Sequence, residues 1–223
     1  MRKPRKLSLD ALAPYQVSLP QANPWLRPEE RAAPIVPIDW AAMYSNANPV
    51  EVEVGFGKGL YLMSAGTAQP EVNYFGIEIV RKYQLYATTR LAVRELNNVR
   101  TCCADAKLVL ANHIVPGSVR TVHVFFPDPW WKNRHKKRLL MTEEFAASIA
   151  RVLPVDGLFH FVTDVKDYFE MVSAMLAELP LFRLLPPPME NTPTHEMDYL
   201  TNFERKFRQE GRPIYRSLYA NRG

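Results

Sequence analysis

The sequence predicts an α/β protein with a mostly parallel sheet covered by helices on both faces. Three observations carry this. From residue 50 onward, short β-branched or aromatic runs alternate with longer helical patterns. A glycine turn, Gly55-Phe56-Gly57-Lys58-Gly59, follows the first of these strands at once. An acid stands at or just past the end of each successive strand: Glu53, Glu78, Asp105, Asp128 and Asp164. Such sheets bind ligands beyond the carboxyl ends of their strands. The acids are therefore expected to converge on one ligand-binding edge.

Residues 1–49 are broken by Pro4, Pro14, Pro20, Pro24, Pro28, Pro34, Pro37 and Pro49. Proline excludes long helices and central strands. The segment reads as an extended arm lying over the domain, pinned by Trp25 and by a short turn at 39–44; as a functional element it would be a basic RNA-contacting arm, and the competing reading is a disordered tail. The domain boundaries are an arm at 1–37 and a main domain at 38–223.

Strand 50–54 leads into the glycine turn and a helix to about residue 68. Strand 73–79 ends near Glu78. Helix 80–96 puts Tyr83, Ala87 and Leu91 on one face at i, i+4 spacing. Strand 99–103 precedes Asp105, helix 106–113 follows, and Pro116-Gly117 turns the chain. Strand 121–126 runs into Pro127-Asp128-Pro129. Thr142 fits a helix N-cap, with Glu143 and Glu144 in the favourable first turn. After strand 158–162, Thr163-Asp164 is placed to cap a helix whose stripe is Val165, Phe169, Val172, Leu176 and Leu179. A sixth strand at 181–185, an irregular loop at 186–197, a short helix at 202–209 and a last strand at 213–219 complete the chain.

At 223 residues with 47% hydrophobic and 23% charged residues, the chain is a soluble globular protein of ordinary domain size. No apolar run reaches the ~18–20 residues that span a bilayer, and the N-terminus lacks the features of a signal peptide. No membrane partner is expected. The adjacent Cys102 and Cys103 are the only cysteines, which suits a reducing cytoplasm and suggests no metal site. The net charge of +5 favours a polyanionic partner. The charge is concentrated in Arg2–Lys6 and in the run Lys132, Arg134, His135, Lys136, Lys137, Arg138. His113, His123, His160 and His195 read as structural or surface residues.

A glycine turn after a first strand, with an acid about 20 residues on, suits any nucleoside-bearing ligand. A dinucleotide is the obvious rival. The turn lacks its last small residue, however, since Leu60 stands there, and the acidic rim would repel a pyrophosphate. A sulfonium carrying an amino-acid ammonium suits carboxylates better. S-Adenosylmethionine is thus the expected cofactor. Gly55 and Gly57 allow close approach, Glu78 accepts from the ribose, Asp105 sits by the adenine, and Glu53 and Asp128 line the methionine end. The competing reading is that each acid merely caps a helix or forms a turn.

Residues 125–138, FFPDPWWKNRHKKR, combine a carboxylate, aromatic faces and a basic strip, which suits action on a base within a nucleic acid. The chain resembles the bacterial tRNA (guanine-N7)-methyltransferase family. The resemblance rests on Glu53-Val-Gly-Phe-Gly-Lys-Gly59, Gly76-Ile-Glu78, Ala104-Asp105-Ala106, Phe126-Pro-Asp-Pro-Trp-Trp-Lys132, Arg134-His-Lys-Lys-Arg138, Thr163-Asp164 and Thr201-Asn-Phe-Glu204, in that order. It implies a class I methyltransferase (Rossmann-like) fold, with a seven-stranded mostly parallel sheet, helices on both faces and an antiparallel last strand. It also implies methyl transfer from S-adenosylmethionine to N7 of guanosine 46 in the tRNA variable loop. By the same resemblance Glu53, Glu78, Asp105 and Asp128 bind cofactor, Lys132, Asp164, Thr201, Asn202, Phe203 and Glu204 bind substrate, and Arg134, His135, Lys136, Lys137 and Arg138 meet RNA. The chain departs from the family pattern at Trp131 and in an arm without an arginine-rich motif.

Guanine N7 offers a lone pair without deprotonation, so alignment and electrostatics should dominate, with Asp128 as the catalytic residue. Asp164 or Glu204 would select guanine through its N1–H and N2 amino group. Helix capping is the competing role for Asp164, and a solvated helix face for Glu204. Rival functions are a methyltransferase of another substrate, protein or small molecule, and a non-catalytic RNA-binding module. The sequence is compatible with a monomer or a homodimer.

Overall fold

The computed structural model describes residues 7–130, 139–187, 199 and 201–223. Its strands are β1 (Gln16–Val17), β2 (Val50–Val54), β3 (Asn73–Glu78), β4 (Val99–Cys103), β5 (Thr121–Phe125), β6 (Leu158–Thr163), β7 (Phe182–Leu185) and β8 (Tyr215–Asn221). Its helices are α1 (Leu9–Leu12), α2 (Trp40–Tyr44), α3 (Leu60–Ala68), α4 (Arg81–Val93), α5 (Ala106–Asn112), α6 (Glu143–Val152), α7 (Lys166–Glu178) and α8 (Asn202–Gln209). The sheet order is β1-β4-β3-β2-β5-β6-β8-β7. Strands β1 to β6 pair in parallel, and β8 runs antiparallel to both β6 and β7. The chain winds outward from β2 through β3 to β4, then reverses through β5 and β6. The reversal opens a crevice at the carboxyl ends of β2 and β5.

The alternation Val-Glu-Val-Glu-Val of β2 explains both layers. Val50, Val52 and Val54 join one core with Phe75, Ile77, Val109, Ile149, Phe161 and Val172, under α5, α6 and α7. On the other face Tyr74 and Val99 pack with Leu60, Leu62, Met63, Ala87 and Leu91 of α3 and α4. Every residue of β2 is buried, as in a strand covered on both sides. Among the described residues no helix is long and apolar enough to cross a membrane.

The sheet has one strand more than the seven expected. Gln16 and Val17 pair with Thr101 and Cys102 along the outer edge of β4. Two residues are too short a run to show a strand period, and the neighbouring prolines allow only such an edge position. Leu19 and Ala22 enter one core and Tyr15 the other, so the arm wraps the β4 edge and blunts it. The expected turn at 39–44 is α2, capped by Asp39, whose carboxylate accepts from the Ala42 N–H. The last strand begins at Tyr215 rather than 213, past Pro213, which has no N–H to give a ladder.

The Glu51 side of β2 buries a polar group that the sequence reading passed over. One Glu51 carboxylate oxygen accepts from Arg120 Nε at 3.1 Å. The other lies 3.0 Å from His123 Nε2 and 3.3 Å from the Tyr61 hydroxyl. Burial alone would raise the Glu51 carboxyl, but its bonds to His123 and Arg120 hold it at about 2. His160, the β6 neighbour of His123, is pushed down to about 3, first by burial and then by the charges of His123 and Arg216.

His160 therefore stays neutral in the fold and takes up a proton on unfolding below its ordinary 6.5. Its contribution is complete above about pH 6.5 and is lost as pH falls toward 3. Glu51 adds its own loss only between 4.5 and about 2. Between about pH 7 and pH 4.5, urea unfolding should show the wild type losing roughly 2–3 kcal/mol more than His160→Gln. Equal losses would show that His160 is not the proton acceptor.

Candidate active site

The glycine turn continues β2 over the crevice. Gly55 N–H still donates to the Ile77 carbonyl at 2.7 Å, so the ladder runs one residue past the strand. Gly55 and Gly57 have φ of +74° and +54°, a region that side chains resist. A Cβ at either would meet nothing within 4 Å. The turn is glycine for its backbone angles, and its outer surface is open for a ligand.

Glu78 ends β3 and binds the turn in place. Its Oε2 accepts from Gly57 N–H and its Oε1 from Val80 N–H, each at 2.8 Å. Burial raises its pKa, those N–H groups oppose the rise, and the charge of Asp128 adds to it. Glu53 is buried, and its Oε2 has no hydrogen-bond partner. Burial, then the charge of Glu78, push the Glu53 carboxyl well above the usual carboxylate range. Two carboxyls in one buried crevice cannot both ionise cheaply. A cation placed beside Glu53 would satisfy the sealed oxygen and restore its charge.

Asp128 stands exposed on the turn after β5. Phe126 and Trp130, on either side of it, have φ of +51° and +40°, a strained pair for non-glycine residues. The Phe126 N–H donates to the Val162 carbonyl at 2.7 Å, which fixes the start of the turn. The Asp128 charge reaches Glu78 and also Tyr168, whose hydroxyl is pushed up to about 12, mainly by burial. Asp105 caps α5 by accepting from Lys107 N–H at 2.9 Å. The capping role and a place on the rim thus coexist in one residue.

The Phe126 ring lies 6.3 Å from Phe203 and 5.5 Å from Phe207, which docks α8 against the Asp128 turn. Thr201 is the α8 cap and accepts from Glu204 N–H at 3.0 Å. Asn202 accepts from Arg205, and Phe203 is 55% exposed beside the turn. Glu204 does not lie on a solvated helix face. It is buried, and its Oε1 accepts from Arg216 at 2.7 Å and Arg208 at 3.0 Å. Asp164 does not cap α7, where Val165 holds the cap position without a side-chain bond. Its carboxylate pairs instead with Arg212, whose guanidinium sits 4.0 Å from the Phe207 ring centroid. Lys132, Arg134, His135, Lys136, Lys137 and Arg138, with Trp131, lie outside the described residues.

The structure thus brings Glu53, Glu78 and Asp128 together at the crevice and sets residues 201–204 against the Asp128 turn. Arg212 and Arg216, the partners of Asp164 and Glu204, were not singled out in the sequence. Only Arg208 carried a local signal, four residues after Glu204 on the same helix face.

A family described as "Putative methyltransferase" matches residues 47–217. A tRNA (guanine-N(7)-)-methyltransferase of Rhodopirellula baltica is 42% identical over 205 residues, covering 89% of this chain and 74% of that protein. The chain belongs to the tRNA (guanine-N7)-methyltransferase family. The Colwellia psychrerythraea member is 35% identical over 186 residues, 83% of this chain and 76% of its own. Among solved structures, a putative methyltransferase of Streptococcus mutans in complex with SAH superposes with a TM-score of 0.51 at 10% identity, over 78% of this chain and 89% of that one. This last likeness concerns the fold alone. It shows that this tRNA (guanine-N7)-methyltransferase family member has the methyltransferase α/β architecture, with its arm strand β1 added to the sheet edge.

The sealed Glu53 carboxyl is a local cost to this family member. Because its pKa is raised in the fold, the cost is absent below about 4.5 and grows as pH rises. Glu53→Gln should therefore stabilise the ligand-free protein by roughly 1–2 kcal/mol near neutral pH, with the gain vanishing at about pH 4. Thermal unfolding at the two pH values checks this. A destabilised variant would mean that Glu53 has a partner in the free protein.

Proposed function

We propose that this chain transfers the methyl group of S-adenosylmethionine to N7 of guanosine 46 in the variable loop of tRNA. The observation that carries the proposal is the buried carboxyl of Glu53, whose Oε2 has no hydrogen-bond partner, below an open glycine turn and beside Glu78. Family membership supports the choice of substrate, since the relatives at 42% and 35% identity are named for guanine-N7 transfer on tRNA.

S-Adenosylmethionine, when bound, supplies an electrophilic methyl on a sulfonium. Glu53 then takes the ammonium of the methionine end. Gly55 and Gly57 let the backbone approach closely. Glu78 spends one lone pair of each oxygen on the turn and keeps the others for ribose hydroxyls. Asp105 would hold the adenine amino group. Guanine N7 is an acceptor with an in-plane lone pair, so no side chain has to remove a proton. Asp128, exposed and held by a strained turn, is the catalytic residue. Its carboxylate aligns the reacting pair and offsets the positive charge that develops on the base.

Asp164 or Glu204 reads guanine through its N1–H and N2 amino group, with Thr201, Asn202 and Phe203 forming the adjoining wall. Both carboxylates already carry arginines, so their orientation is set before substrate arrives. Lys132 holds the ribose or phosphate beside the target. Arg134, His135, Lys136, Lys137 and Arg138 contact phosphates, and the bonds they make offset the few kcal/mol needed to withdraw the base. A tRNA substrate fits a protein of the cytoplasm, acting as a monomer or a homodimer.

Purified protein, methyl-labelled cofactor and bulk tRNA test the proposal. Label recovered in N7-methylguanosine at position 46 supports it, and label elsewhere or only in protein refutes it. Asp128→Ala should lower the rate by at least about a hundredfold. Because Asp128 is exposed, its melting temperature should stay within a few degrees of the wild type. Near-normal turnover in that variant removes Asp128 from catalysis.

A further inference from the structure

The arm crosses the sheet edge at the place where the nucleoside of the cofactor belongs. After β1 pairs with β4, the tight turn Pro20–Ala22 carries the chain over the carboxyl ends of β4 and β3. Two bonds fasten it there. The Asp105 N–H donates to the Ala22 carbonyl at 2.7 Å. The Trp25 indole Nε1–H donates to the Ile79 carbonyl at 2.6 Å. Asp105 and Glu78 are the two acids assigned to the nucleoside, and Ile79 directly follows Glu78. The arm is thus bonded to the backbone on both sides of that cleft.

The turn is also stiff. Asn23 Oδ1 accepts from Trp25 N–H at 3.0 Å, Asn23 N–H donates to the Pro20 carbonyl at 3.1 Å, and Ala22 is buried. The indole has a single polar atom, and that atom is already bonded. Even so, the residue is 60% exposed, and the neighbouring Ile79 is 46% exposed. A large flat ring anchored by its polar edge, with its apolar surface uncovered next to an aliphatic side chain, is an arrangement that receives another flat ring.

We infer that Trp25 is a cofactor-binding residue, the arm's contribution to the adenine wall of the S-adenosylmethionine site. The inference rests on the assignment of Glu78 and Asp105 to the nucleoside. It gives the arm a role in holding cofactor, in place of the RNA contact that its basic residues suggest. It also explains why a proline-rich segment is fastened at this cleft through backbone groups beside both acids.

The test measures S-adenosylhomocysteine binding to the full chain by calorimetry. Trp25→Ala should raise the Kd about five- to fiftyfold, within the range for loss of one base–aromatic stack. Trp25→Phe should keep most of the affinity while losing a large part of the tryptophan fluorescence change that accompanies binding. Binding of tRNA should be unchanged in both. A Trp25→Ala Kd within twofold of the wild type overturns the inference, and does so equally if tRNA binding weakens instead, which would return the arm to RNA. Glu78→Gln and Asp105→Asn are measured in parallel. If these two retain affinity, the nucleoside assignment fails. If they lose it and Trp25→Ala does not, the fault lies with Trp25 alone. Thermal unfolding of Trp25→Phe, expected to match the wild type, separates loss of the ring from loss of the fold.

Discussion

The site depends on two carboxyls forced into one buried crevice. Glu53 points from β2 toward the same layer as Gly76 of β3, and Glu78 closes the next strand position along. Gly76 lets Leu62 of α3 and Phe56 of the glycine turn close over this face, because a Cβ there would strike both. Glu78 is satisfied by the glycine turn and Val80, whereas Glu53 is left with a sealed oxygen. The asymmetry leaves one sealed carboxyl oxygen at a fixed position. Hydrophobic burial on both faces of β2 holds it there, and the Glu51 group braces the same face one pleat below.

Around Glu53 the fold arranges elements that are distant in sequence. The reversal of strand order at β2 and β5 opens the crevice and delivers the Asp128 turn to its rim. Phe126 then recruits α8 through aromatic contacts, which brings residues 201–204 to the same place. Ala22 and Trp25 arrive from the opposite side along the β4 edge. Glu53 with Glu78, the Asp128 turn, and residues 201–204 of the α8 start thus meet at one opening.

What could be read from the sequence is what local chemistry determines. Alternating valines mark β2, glycines mark the turn, and acids at strand ends mark the rim, because each signal lies within a few residues. Thr142 announces its own helix cap in the same way. What could not be read depends on distant partners. Arg212 meets Asp164 across 48 residues and turns it away from the cap that its sequence suggests. Arg216 reaches Glu204 from β8, so a residue expected on a wet helix face is buried. His123 and His160 look ordinary until β5 and β6 lie side by side. The strand β1 has no pattern of its own and exists only because β4 offers an open edge.

The central claim is that Glu53 holds its proton in reserve until a cation replaces it. Calorimetric binding of S-adenosylhomocysteine, which keeps the ammonium, in buffers of different ionisation enthalpy at about pH 6 tests this directly. Net release of protons on binding is expected, and Glu53→Gln should diminish it. Binding with no net proton release by the wild type would contradict it.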